Sequence, residues 1–125
     1  MDDRVRQALR HGQVIDMTTT GRRTGQPRRI EIVTHVIDGR TYISGTPRHQ
    51  TRAWIHNLNA DPRLTIHLKG PVQADLPAHA RVITEDPERQ RIFEWITTHA
   101  WRNQDPAAMA EASPLIEVTI DELAA

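Results

Sequence analysis

The chain has no cysteine. That excludes a disulfide framework and a thiolate metal site. Aromatic residues are scarce, with one Phe and one Tyr, so there is little surface for stacking nucleobases. Neither sign of charge prevails: 16 basic and 16 acidic side chains cancel to a formal charge of zero. A dedicated nucleic-acid binder would carry a basic excess. No apolar run reaches the roughly 20 residues of a membrane span. The opening Met-Asp-Asp-Arg-Val-Arg holds no signal-peptide core. These absences predict a soluble cytoplasmic protein with no nucleic-acid partner and no membrane span. A length of 125 residues suits one domain, 1–125.

Familiar catalytic patterns are missing as well. The 7 histidines show no His-Glu-x-x-His spacing, so no metal site is predicted. Ser44 and Ser113 lack a nucleophile-elbow context. Glu85, Asp86 and Glu88 read as charges that favour a helix N-terminus. No catalytic side chain is assigned.

What is present is a basic loop. Residues 18–29 read Thr-Thr-Thr-Gly-Arg-Arg-Thr-Gly-Gln-Pro-Arg-Arg. Gly21 and Gly25 bracket it, and glycine permits positive φ and close approach to the backbone. Free backbone N–H groups in such a turn can cradle an anion. Arg22, Arg23, Arg28 and Arg29 add planar donor forks suited to phosphate or carboxylate. The bland alternative is ordinary turn chemistry with solvated arginines. The loop is neither a Walker A motif nor a Rossmann fingerprint, since Gln26 follows Gly25 and no three-glycine spacing opens a helix.

The flanking chain reads as six strands and few helices. A short N-terminal helix falls within 1–12, with Val5, Ala8 and Leu9 on one face and Gly12 as a stop. Strands are predicted over 13–20 and 28–37. The second has Ile30, Ile32, Thr34 and Val36 on one face. Its other face, Arg29, Glu31, Val33, His35 and Ile37, is mixed, as if half faced a core and half a pocket or subunit contact. Asp38-Gly39 signals a two-residue hairpin to a third strand over 40–45. Thr51 is a plausible N-cap for a helix from Arg52 to about Asn59, closed by Asp61-Pro62. That helix start, with Arg48, His49 and Arg52, is a second candidate anion site. Strands follow over 63–69 and 72–84, the latter bent or bulged near Pro77. A longer helix runs from Asp86 to about Asn103, with Ile92, Phe93, Ile96 and Ala100 on one face, Trp95 at its border and Trp101 nearly opposite. The Ala-rich piece to Ala112 holds another helical turn, and the last strand is 115–120. This order favours a small mainly β (α+β) barrel. Trp54 and Asn57 share one face of the short helix, where a buried amide needs a partner.

The loop at 19–28, followed by Trp54-Ile-His-Asn57-Leu-Asn-Ala-Asp-Pro62, resembles the deazaflavin-dependent nitroreductase family. The likeness spans roughly 14–84 and contains both motifs in order. It implies a six-stranded antiparallel split β-barrel, FMN-binding-like in fold and a possible homodimer. It implies an oxidoreductase in which reduced coenzyme F420 gives a hydride to a small planar acceptor such as a quinone, nitro compound or enone. Arg22, Arg23, Thr24 and Arg28 would hold the coenzyme's phosphate and acidic tail. Ile30, Ser44, Gly45 and Thr46 would flank tail and ring, with Ala53, Trp54 and Asn57 completing the site. The alternative is a non-catalytic binding protein of the same fold, with FMN as the runner-up ligand. The chain departs from the family pattern at Ile30-Glu31, where a small polar residue and Pro are usual, at Thr46 and at Arg52. It also has no Tyr after Tyr42, which leaves Trp95 and Trp101 as the C-terminal aromatics available to cover a substrate.

Overall fold

The structure, a computed structural model, describes residues 1–124. Six strands pair antiparallel in the order β1-β2-β3-β6-β5-β4 and close into a barrel. They are β1 (Val14–Thr20), β2 (Pro27–Ile37), β3 (Arg40–Ser44), β4 (Arg63–Leu68), β5 (Ala74–Val82) and β6 (Leu115–Ile120). Helix α1 (Asp3–Ala8) precedes them and α2 (Ala53–Ala60) follows β3; α3 (Asp86–His99) and α4 (Pro106–Ala112) lie between β5 and β6. The predicted split barrel is the observed fold.

Strand alternation explains the barrel interior. Ile15 and Met17, Ile43, Leu64, Ile66 and Leu68, Leu76 and Ala78, and Ile116, Val118 and Ile120 turn inward on successive strands. Trp54, Ile55 and Leu58 of α2 join that cluster. The β2–β3 turn holds Asp38 at φ 51° and Gly39 at φ 77°. Positive φ at both central residues matches the right-handed twist of the two strands.

A second core lies outside the barrel. Ile37, Tyr42 and Leu115 point outward from their strands and meet Ile83, Ile92, Phe93, Ile96 and Met109. Burying Ile92, Phe93 or Ile96 contributes about 1.5–3 kcal/mol each. Arg89 fastens this layer: its guanidinium donates to the carbonyls of Ile83 at 2.9 Å, Ala110 at 3.0 Å and Ser113 at 2.5 Å. The mixed face of β2 divides accordingly. His35 and Ile37 are covered by the second core. The other half is polar: Arg29 and Lys69 both reach Asp16, at 3.0 and 2.7 Å, and Lys69 also reaches Glu31 at 2.5 Å. The bonds from Lys69 and Arg29 hold the Asp16 carboxyl below its usual range.

Several boundaries differ from the sequence reading. Helix α1 ends at Ala8, short of Gly12, and none of its residues is fully buried. The N-cap of α2 is Arg52 and no side chain caps it, so Thr51 does not have the predicted role. Strand β5 is shorter than 72–84 and keeps continuous register with β4 through Pro77. No bulge is needed, because pairing with β6 begins only at Ala78. The long helix stops at His99 and α4 is separate. Ala100 leaves helical geometry at φ −131°, ψ −61°. Trp101 therefore lies in a turn, packs on the second core and meets the His35 ring edge-on at 4.9 Å.

His35 is buried under that contact, and its Nε2 has no hydrogen-bond partner. Burial pushes its pKa down to about 4. The unfolded chain takes up this proton near pH 6.5, so stability contributed by the neutral ring is complete above that value. It falls as pH drops toward 4, by a total of about 3 kcal/mol. Denaturant unfolding across that range should show the slope, and His35→Leu should flatten it.

Candidate functional site

The loop that joins β1 to β2 is short and tightly turned. Gly21 N–H donates to the Gln26 carbonyl and Gly25 N–H to the Gly21 carbonyl, both at 2.8 Å. Gly25 sits at φ 72°, a region where side chains are disfavoured. At Gly21 a Cβ would come within 3.0 Å of the Gln26 carbonyl oxygen. The Thr24 hydroxyl accepts from Gln26 N–H at 3.2 Å. The turn thus presents Arg22 and Arg23 from a backbone with little freedom.

Asn57 ties the loop to α2. Its carbonyl oxygen accepts from the Arg22 backbone N–H at 3.0 Å, and its amide donates to the Thr19 hydroxyl at 3.2 Å. Both groups are used within the protein, so Asn57 first of all positions the loop. Between loop and helix opens a cleft of about 360 Å³. Arg22, Arg23, Thr24, Arg28, Ile30, Ala53, Trp54 and Asn57 line it, together with Gly21 and Thr19. Thr19 was missed in the sequence. Its signal was a hydroxyl on the inward phase of β1, after Ile15 and Met17.

Ser44, Gly45 and Thr46 are not brought to this cleft. The Ser44 hydroxyl is buried and donates to the Pro114 carbonyl at 2.5 Å. Gly45 packs against the Arg52 guanidinium, whose Nη2 would lie 2.9 Å from an added Cβ. The same nitrogen donates to the Thr46 carbonyl at 2.6 Å. These residues anchor Arg52 and the end of β3. Trp95 and Trp101 are also absent from the cleft lining; Trp95 stacks on His99 at 4.4 Å.

The arginines of the loop divide by strand phase. Arg29 points outward to Asp16. Arg22, Arg23 and Arg28 have no carboxylate within ion-pair distance among the described residues. Three uncompensated guanidiniums stand beside an apolar wall of Ile30, Ala53 and Trp54. That donor set fits a ligand with an anionic arm and a flat apolar body. Among the described residues no group of three potential metal ligands is assembled.

The sequence model of the F420H(2)-dependent quinone reductase family matches residues 2–122. The chain belongs to this family. It is accordingly an F420H2-dependent reductase, and coenzyme F420 is its cofactor. The residues of the cleft fit that coenzyme's combination of negative charge and planar ring. No curated protein matches the sequence. Solved structures that resemble this reductase share its fold at low identity. A conserved hypothetical protein, Rv2991, from Mycobacterium tuberculosis is 16% identical with a TM-score of 0.71, covering 97% of this chain and 81% of that one. A FAD-binding protein from Mesorhizobium loti is 14% identical with a TM-score of 0.67, covering 97% and 90%. A protein described as an F420-H2 dependent reductase, FDR-A, is 18% identical with a TM-score of 0.58, covering 85% and 93%.

Removing the Asn57 amide leaves the Arg22 N–H and the Thr19 hydroxyl without their partner. Asn57→Ala should lower stability by about 1–3 kcal/mol in urea unfolding.

Proposed function

We propose that the cleft between the β1–β2 loop and α2 holds F420H2 and that the acceptor is a small planar molecule, a quinone first, with nitro compounds and enones as further candidates. The observation that carries this reading is the set of three unpaired guanidiniums beside an apolar wall. Arg22, Arg23 and Arg28 grip the anionic portion of the coenzyme. Ile30, Ala53 and Trp54 contact the ring system, with Thr24 at the mouth of the loop. The coenzyme supplies the hydride when bound, and the protein supplies orientation and an apolar surface. Among the described residues, those that line the cleft are arginines, threonines, an amide and apolar groups, which bind and orient. The family's description favours a quinone over other acceptors.

Each charge-assisted contact contributes about 1.5–3 kcal/mol. Arg23→Ala combined with Arg28→Ala should weaken F420 binding by more than about tenfold, the equivalent of about 1.4 kcal/mol. Arg29→Ala should leave it unchanged, since that side chain faces Asp16. Fluorescence titration with F420 measures both, and unaltered affinity in the double variant would refute the assignment. Steady-state oxidation of F420H2 against quinones, nitroaromatics and enones should give the highest kcat/KM with a quinone.

A further inference from the structure

A second basic concavity lies across α2 from the coenzyme cleft. Ala53, Trp54 and Asn57 line the cleft, whereas Thr51, Arg52 and Ile55 line a separate cavity of about 320 Å³. The helical period puts these two sets on opposite sides of the first turn. The cavity gathers Arg48, His49, Arg52 and Arg89 against one carboxylate, Glu111. None of the three arginines has a carboxylate within ion-pair distance among the described residues.

We propose that this cavity is a second anion-binding site, which takes a carboxylate or phosphate group of a small molecule. Three features point that way. First, the charge is concentrated against its own repulsion: burial, then the neighbouring Arg48, lowers the pKa of Arg52. Arrangements that cost energy in the free protein are relieved by a counter-ion. Second, two of the cations and the backbone of the third are fixed. The Arg52 guanidinium is held by the Thr46 carbonyl at 2.6 Å, and the backbone N–H of the exposed Arg48 donates to the Ala112 carbonyl at 3.1 Å. Arg89 is locked by neutral carbonyls and has no carboxylate within ion-pair distance among the described residues, Asp86 acting on it only from farther away. Third, polar capacity remains on the wall. Ser113 is only 4% exposed, and its hydroxyl has no hydrogen-bond partner. The free end of α2, with no side-chain cap, adds its positive pole.

This site does not rest on the coenzyme reading. The test is an amide NMR titration of the whole chain with inorganic phosphate. Saturable shifts are expected in residues 48–55 and 109–114. They should persist in the Arg23→Ala/Arg28→Ala variant, which separates this site from the cleft. Arg48→Glu should weaken them by more than about tenfold, with its unfolding midpoint confirming an intact fold. Absent or non-saturating shifts, or an equal response in Arg48→Glu, would overturn the proposal. Repeating the titration with F420 bound identifies the source of the anion. Loss of the phosphate response assigns the site to the coenzyme's own acidic tail, and an unchanged response assigns it to a separate anionic molecule.

Discussion

One carboxamide holds the two halves of the cleft together. Asn57 sits on the buried side of α2 and reaches both the end of β1, through Thr19, and the loop beyond it, through the Arg22 N–H. A buried amide left without partners is costly, so loop and helix are fixed relative to each other by the same bonds that satisfy Asn57. The guanidiniums that follow are therefore presented from a backbone that is already placed. A preorganised cationic site loses less entropy on binding than one that must assemble around its ligand.

The distribution of arginine shows how a neutral chain builds local charge. Arg29, Arg63 and Arg81 have carboxylate partners: Asp16, Asp61, and Glu88 with Glu117. These exposed pairs contribute little to stability, but they remove acidic groups from circulation. Of the cations left unpaired among the described residues, Arg22, Arg23 and Arg28 gather on one concave surface and Arg48, Arg52 and Arg89 on another. Net charge conceals this segregation, and only the folded arrangement exposes it.

Local features of this fold were legible in the sequence, and long-range ones were not. The Asp38-Gly39 turn follows from its need for positive φ at both positions. The alternation in Leu64, Ile66 and Leu68 places β4 directly. Strand phase alone separates Arg28 from Arg29, and it also puts Ser44 on the outer face shared with Tyr42, away from the cleft between the β1–β2 loop and α2. What the sequence conceals is closure. The pairing of β1 with β4 and of β3 with β6 joins segments far apart in the chain, and no local signal encodes it. The second core is hidden for the same reason: Ile37, Tyr42 and Leu115 look like ordinary strand residues until α3 and α4 cover them. Trp101 looks like a helix residue because a helical sequence pattern runs past His99, where the backbone turns. Thr51 has the chemistry of an N-cap, yet the helix begins one residue later.

Closure has a further consequence. In an open sheet the outermost strands leave a row of unpaired N–H and C=O groups, which another chain can extend. Here each of the six strands has two hydrogen-bonded neighbours. Strand addition is thereby confined to the short stretches where only one neighbour pairs, such as residues 27–33 of β2, which meet β1 while β3 takes up only residues 34–37.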